Sequence, residues 1–290
     1  GVDYENLKTI NPKIILGSIS GFGQDGPYHK RPGFDQIAQG MGGLMSITGL
    51  PGQGPVRAGI PIADLTAGIY CALGILIALL EREESGKGQW VRTSLLEAQI
   101  AMLDFQAARW LVAGEVAPQA GNNHPTSIPT GVFKTADGYI NIATSGDAMW
   151  KRLCQLFDAP KLKDNPDFSH AAQRSTNRDA VNAEIEKLTQ KNTSEEWIKL
   201  LNEAGVPCGP IYSIDQVFAD AQVEHLDMKH PVEHPDRGQI NLVGQAVKMS
   251  RSTPHIGVAT PVRGQHTEEV LTEYGYSVDQ IADLRKRTVV

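Results

Sequence analysis

The chain has 290 residues, 41% of them hydrophobic and 21% charged, proportions that suit a globular protein with one large domain or two modest ones. A formal net charge of −6 and a pI near 5.8, without any dense run of Lys and Arg, speak against nucleic acid and anionic membrane surfaces as partners. Cys71, Cys154 and Cys208 are widely spaced and include no C-x-x-C pair, which disfavours a disulfide framework or a structural zinc site and suits a reducing cytoplasm.

Residues 2–12, V-D-Y-E-N-L-K-T-I-N-P, predict a helix that ends at Asn11 and Pro12, and residues 13–20, K-I-I-L-G-S-I-S, a buried parallel strand. The chain thus opens inside an α/β pattern, with Gly1 in place of an initiator Met and no signal peptide, as a fragment or processed piece would. G-F-G-Q-D-G, residues 21–26, formally matches a dinucleotide fingerprint. A turn-rich P-Y-H-K-R-P-G follows where that fold needs a helix N-terminus, so nicotinamide and flavin are not expected. The glycines instead predict a loop at the C-terminal edge of a sheet. Residues 34–49 predict one helix, with Asp35 in its first turn and Ala38, Gly40, Gly42 and Gly43 permitting close backbone approach.

The centre of the pattern is residues 57–83. Between Thr66 and Leu80 only Thr66, Tyr70 and Cys71 carry polar atoms, so a helix here is expected to be buried on every face. Its longest unbroken apolar run, residues 72–80, is shorter than a bilayer span, and no membrane partner is expected. Asp64 stands at the mouth of this helix, where an N-cap belongs. A short strand over residues 89–93 and a helix over residues 94–113 follow, with Trp90 and Trp110 expected in packing.

At Gly114 the composition turns to Gly, Pro, Asn and Ser, the best candidate boundary. Beyond it come two alternating strands around Asp137-Gly138, helices over residues 148–157, 175–189 and 193–204, the last opened by T-S-E-E, and an extended V-P-C-G-P-I. R-G-Q-I-N-L-V-G and Q-A-V-K-M-S predict antiparallel strands, and residues 267–274 and 278–287 two closing helices. His225, His230 and His234 lie close together, but Pro231 and Pro235 break any helix that would align them, so they are expected as surface histidines without a metal.

These segments carry a resemblance. G-F-D-Q-I-A-Q-G-M-G-G, A-D-L-T-A-G-I-Y-C-A-L-G-I-L-I-A-L-L-E-R-E, G-K-G-Q-W-V-R-T-S-L-L-E-A, G-N-N-H-P, D-G-Y-I-N-I-A, A-G-V-P-C-G-P-I and G-Q-H-T-E-E-V-L, in order over the chain, resemble the class III CoA-transferase family. That family also contains formyl-CoA transferase, the carnitine CoA-transferase and the α-methylacyl-CoA racemases. The resemblance implies an α/β fold: a Rossmann-like large domain whose N-terminal part is absent from this chain, a small α+β domain, and an interlocked homodimer. The implied division is residues 1–114 for the large CoA-binding part, 115–130 for a linker, 131–222 for the small domain, and 223–290 for a segment returning to the large one.

By motif the family's nucleophile falls on Asp64, which the resemblance makes a nucleophile toward acyl-CoA as well as a cap. A carboxylate is ionised at neutral pH and needs no general base. CoA and its acyl thioester are then substrates, with no permanently bound cofactor, and a small carboxylic acid is the acceptor. Arg31, Pro32, Gly33 and Phe34 match the segment that borders CoA, against the alternative of a basic loop facing solvent. A Tyr stands at the position of Phe34 in formyl-CoA transferase, and G-N-N-H-P-T-S-I-P-T-G replaces that enzyme's glycine-rich loop, so an oxalate and formate pair is not implied. His124 in the replacement loop is a candidate for the acceptor carboxylate, or only a loop residue held by Pro125. Racemases use a His after the Gly, where Phe34 stands here. An epimerase and a non-catalytic CoA-binding fragment are the alternative functions.

Overall fold

The computed structural model describes residues 2–252 and 256–290; Gly1 lies outside them. By contacts the chain divides into two compact units, Gly1–Pro210 and Ile211–Val290.

In the first unit α1 (Tyr4–Ile10) is capped by Asp3, whose side chain accepts the Asn6 N–H at 2.9 Å. It leads into β1 (Leu16–Ser20). After a loop come α2 (Asp35–Met41), α3 (Leu44–Ile47) and α4 (Ile62–Ser85), then β2 (Trp90–Ser94), which pairs in parallel with β1 from Leu16 opposite Trp90 to Ser20 opposite Ser94. The strand–helix–strand crossover expected from the apolar pattern is present. The helix expected over residues 34–49 is two helices, because Gly43 takes φ 84°, a left-handed conformation that an α-helix does not accommodate. Likewise the expected helix over residues 94–113 is α5 (Leu95–Ala101) and α6 (Phe105–Ala113), parted at Asp104 with φ 49°.

The helix α4 departs from expectation in two ways. It starts at Ile62, so Asp64 is not its N-cap but a first-turn residue; the cap position is Pro61, which offers no side-chain bond. Nor is α4 buried all round. Ala63, Thr66, Ala67, Cys71 and Ala78 form a narrow buried stripe against the sheet, α2 and α5, while Leu65, Ile69, Leu73, Leu76 and Leu80 are exposed. Small side chains at helical spacing let neighbouring backbones come close, and such a contact is narrow. By length and composition alone this helix is long and apolar enough to cross a membrane, but a core helix passes the same test.

The rest of the first unit is built on a second sheet. β3 (Thr130–Lys134) and β4 (Tyr139–Ala143) form the hairpin signalled by Asp137-Gly138; α7 (Gly146–Leu156), α8 (Pro160–Lys163), α9 (Ala171–Thr176), α10 (Arg178–Thr189) and α11 (Ser194–Glu203) follow, and β5 (Cys208–Pro210) completes an antiparallel sheet in the order β3-β4-β5. Thr193 and Glu196 close a reciprocal capping box on α11, as T-S-E-E predicts. Phe133, Ile140, Trp150, Leu153, Ile185 and Leu201 centre the core. Inside it burial pushes the Cys154 thiol up to about 12, which leaves it an inert thiol. Arg174 is fully buried beside this core, donating to Ile128 O at 3.1 Å, Phe168 O at 2.9 Å and Asp147 Oδ1 at 2.8 Å.

The second unit contains α12 (Ile214–Val217), α13 (Ala221–His225), β6 (Lys229–His234), β7 (Gly238–Val243), α14 (Thr267–Glu273) and α15 (Val278–Lys286), with β6 and β7 antiparallel. Q-A-V-K-M-S, expected as a strand, is irregular chain after β7. His234, expected at the surface, is buried on the inward face of β6, and its Nδ1 accepts the Asp236 N–H at 3.1 Å.

The Arg174 bond to Asp147 gives a pH signature. The guanidinium first, then His170, holds the Asp147 carboxyl below its ordinary value. A depressed folded value means that its stabilisation is fully present above the ordinary carboxylate range and is lost as pH falls through the lowered value. Asp147→Asn is therefore expected to flatten the acid limb of a stability profile measured by denaturant titration between pH 2 and 6, while Lys187→Gln, on an exposed ion pair, leaves it unchanged.

Candidate functional site

The polar groups that converge in the first half of the chain lie where α2 meets the N-terminus of α4. Asp35 and Gln39 are one helical turn apart on α2, so both face the same neighbour, the segment from Arg57 to Ala63. Asp35 is buried. Its Oδ1 accepts the Ala63 N–H at 2.9 Å, and its Oδ2 accepts from Gln39 Nε2 at 2.7 Å with Arg57 Nη2 at 3.7 Å. Gln39, fully buried, accepts the Ala58 N–H at 2.9 Å and donates to Ile60 O at 3.2 Å. Ala63 is the second residue of α4, so Asp35 satisfies one of the helix's unpaired N–H groups from another part of the chain. A buried anion at a helix N-terminus with a guanidinium beside it is electrostatically matched.

Asp64 follows immediately. It is exposed, and its carboxylate makes no hydrogen bond or ion pair among the described residues. Phe34, the residue before Asp35, is the N-cap residue of α2 and is 78% exposed. The Asp35–Ala63 bond thus brings the expected site residues Phe34 and Asp64 to either side of one hydrogen bond.

Arg31, Pro32 and Gly33 close the loop that leads into α2. Its two ends touch: a Cβ on Gly21 would lie 2.9 Å from Gly33 Cα, and one on Gly33 would lie 3.0 Å from Gly21 Cα, a contact that only two glycines permit. Within the loop Phe22 packs edge-on to Tyr28, and the Arg31 guanidinium lies 3.7 Å from the Tyr28 ring centroid. Tyr28 thereby fixes a cation that sequence reading identified without its support.

His124 stands elsewhere in its own loop. Its Nδ1 accepts the N–H groups of Ser127 at 2.9 Å and Thr126 at 3.2 Å, and its ring stacks on Phe105 with centroids 5.9 Å apart. An Nδ1 that accepts carries no proton, so the ring proton sits on Nε2, the atom left to donate. No hydrogen bond joins His124 to the α2–α4 junction among the described residues. Nearby, α3, α5 and α6 enclose an apolar groove of about 330 Å³ lined by Ile47, Ile100, Leu103, Trp110 and Leu111, so Trp110 faces an open groove instead of being packed. Trp90 is half-exposed, its Nε1 donating to Ser18 at 2.9 Å. Among the described residues no group of three His, Cys, Asp or Glu side chains is placed to hold a metal ion.

The residues that sequence reading missed are Gln39, Arg57 and Tyr28, and for Asp35 it saw only a first-turn acid. A signal for the first was present: Asp and Gln four apart in a segment of small residues, D-Q-I-A-Q-G, are polar groups on a face with no room for water.

Comparison with known proteins bears on what this site serves. The profile of CoA-transferase family III matches residues 1–267. The chain is 35% identical over 273 residues to succinyl-CoA:glutarate CoA-transferase of Homo sapiens, covering 94% of this chain and 62% of that protein. It is 32% identical over 292 residues to succinyl-CoA–D-citramalate CoA-transferase of Chloroflexus aurantiacus, covering all of this chain and 73% of the other. The crystal structure of a CaiB/BaiF family protein from Brucella suis superposes with a TM-score of 0.80 at 33% identity, over 94% of this chain and 71% of that one. The chain thus spans about two thirds of the length of the proteins it matches.

The geometry separates two roles that sequence reading had joined in Asp64. Since Asp64 caps nothing, Asp64→Asn and Asp64→Ala are expected to change stability by no more than the ~0.3–1 kcal/mol of a charge near a helix end. Asp35→Ala, which leaves the Ala63 N–H without its acceptor and Gln39 Nε2 with Ile60 O alone, is expected to cost about 1–3 kcal/mol. Denaturant unfolding of the three variants of the full-length protein checks the order.

Proposed function

The chain belongs to CoA-transferase family III, and on that premise we propose that it moves CoA from an acyl-CoA donor to a carboxylic acid acceptor, with Asp64 as the nucleophile. The observation that carries this reading is a solvent-facing carboxylate with no hydrogen-bond partner at the first turn of α4, its neighbour's N–H already taken by Asp35. A carboxylate that no protein donor holds is free to approach a thioester carbonyl carbon.

In the proposed cycle an Asp64 oxygen attacks the thioester carbonyl carbon, the C–S bond breaks, and CoA leaves as a thiolate to give a mixed anhydride. The thiolate then attacks the Asp64 carbonyl, releasing the donor acid and forming an aspartyl-CoA thioester. The acceptor carboxylate attacks that thioester, CoA leaves again, and the thiolate takes the acyl group of the new anhydride, which regenerates the Asp64 carboxylate. Each tetrahedral oxyanion requires backbone N–H donors, for which the glycine-bearing loop of residues 21–33 is the candidate.

Arg31, Pro32, Gly33 and Phe34 are proposed to border CoA, and the Tyr28 stack supports this by holding the Arg31 cation at a defined place. His124 is proposed to donate from Nε2 to the acceptor carboxylate. The names of the human and Chloroflexus relatives support succinyl-CoA as donor and a short dicarboxylic acid as acceptor. CoA enters and leaves as substrate, so no resident cofactor is invoked. Phe34 carries no titratable group, which favours transfer over racemisation. The parallel β1–β2 pair joined through α4 supports a Rossmann-like large domain. We also propose an interlocked homodimer in the cytoplasm, supported by the apolar side chains exposed on α4 and by three free cysteines.

Two measurements on the full-length protein test this reading. With succinyl-CoA and glutarate, Asp64→Asn is expected to lose transfer by at least about a thousandfold, because an amide forms no anhydride. Hydroxylamine added to the wild type with succinyl-CoA is expected to leave a hydroxamate on the Asp64 peptide. An Asn variant that transfers at a wild-type rate, with deamidation excluded by mass, overturns the covalent route. Sedimentation is expected to show a dimer at micromolar concentration, consistent with an interface above roughly 2,000 Å²; a monomer there removes the dimer proposal.

A further inference from the structure

We infer that Asp35 and Gln39 form a positioning pair that caps α4 in place of Asp64 and so keeps the Asp64 carboxylate free to react. The inference rests on the reading of Asp64 as nucleophile. Helix α4 begins without a local cap, since Pro61 has no side-chain acceptor and its ring nitrogen no hydrogen. An acidic side chain in the first turn of such a helix is drawn toward the unpaired N–H groups beside it. Asp64 is that side chain, yet it points to solvent without a partner among the described residues. Asp35 Oδ1 already accepts the Ala63 N–H.

The rest of the pair holds the approach to the helix. Gln39 holds residues 58 and 60 at one backbone group each, accepting from Ala58 N–H and donating to Ile60 O, and its remaining N–H goes to Asp35 Oδ2. The polarity is unambiguous: Gln39 Nε2 must face two oxygens and Gln39 Oε1 an N–H, so the amide has one satisfying orientation. From Ala58 to Ala63 the backbone is thus pinned at three points by two side chains of one α2 face. Asp64, the next residue, inherits its position from them.

This makes a distinction that a merely structural buried pair does not. Asp35→Asn keeps an oxygen for Ala63 N–H but turns an NH₂ group toward Gln39 Nε2. Gln39→Glu turns a second carboxylate toward Asp35. The double variant Asp35→Asn/Gln39→Glu restores a donor facing an acceptor and keeps acceptors for Ala63 and Ala58, losing the bond to Ile60 O and the Arg57 ion pair at the Oδ2 position.

The test uses the full-length protein and two readouts. With succinyl-CoA and glutarate, each single variant is expected to lower kcat about tenfold or more with KM for succinyl-CoA changed less than about twofold, and the double variant to recover to within about threefold of wild type. Separately, carbodiimide and glycine ethyl ester label free carboxylates without any turnover. In Asp35→Ala, whose Ala63 N–H is vacant, Asp64 is expected to turn to the helix terminus and its labelling rate to fall about fivefold, the ratio that one cap represents, while Glu81 labels as before. Singles with wild-type kcat, or a double variant whose loss is the product of the two, overturns the pairing. Unchanged Asp64 labelling in a folded Asp35→Ala overturns the division between capping and reacting carboxylates. Wild type that transfers no CoA removes the transferase reading instead, and the labelling arm still decides the positioning role.

Discussion

A single hydrogen bond from Ala63 N–H to Asp35 Oδ1 organises the first half of this molecule. It ties the start of α2 to the start of α4, the long helix against which β1, β2 and α5 also pack. The bond holds in the interior because the Asp35 carboxyl group has compatible neighbours, the helix terminus, the Gln39 amide and the Arg57 guanidinium. An isolated buried carboxylate has no such compensation and takes up a proton. The exposed carboxylate one residue beyond the bond owes both its place and its freedom to this arrangement.

Two kinds of packing lie side by side in the first unit. The core around Trp150 and Leu153 is filled by large side chains from strands and helices close in sequence. The junction around Ala38, Ala63, Ala67, Leu95 and Ala98 is filled mostly by alanines, and its precision comes from backbone proximity and buried hydrogen bonds instead of apolar volume. Removing a methyl from such a contact costs little area, whereas adding one displaces a helix. That is a suitable way to hold chemistry: the geometry is set by directional bonds, and large side chains are left for the surfaces around it.

Much of this was legible in the sequence where the signal was local. Thr193 with Glu196 and Asp137 with Gly138 each carry their own structural instruction within a few residues, and α11 and the β3–β4 hairpin formed as read. The same reading placed Asp64 at the mouth of α4. It gave Asp64 the cap because Asp is among the commonest local solutions, and the actual acceptor stands 28 residues before the Ala63 N–H that it caps, where no window on the sequence finds it. The split of α2 from α3 was hidden for a related reason: Gly42 lies against Gln99, close enough that a Cβ there would meet the Gln99 Cγ at 2.5 Å, and a partner of that distance is invisible to helix periodicity. The exposed face of α4 shows the converse error. Apolar composition reports that a surface avoids water, not which of its sides this chain covers.

The contact between Gly21 and Gly33 has a consequence for how such a site can vary. Residues 22–32 leave and return through one neck, carry their own packing in Phe22, Tyr28 and Arg31, and are tied outward by the Asp25 to Arg92 ion pair at 2.8 Å. This is an Ω-loop, a cassette whose contents can be exchanged without moving the elements that bear it. Substitutions inside it alter the surface of the loop, and the neck insulates α2, and through α2 the place of Asp64, from the change. On the roles proposed for Arg31 and Asp64, recognition and reactivity can therefore drift independently, so that ligand preference is free to diversify while the junction of α2 and α4 stays in register.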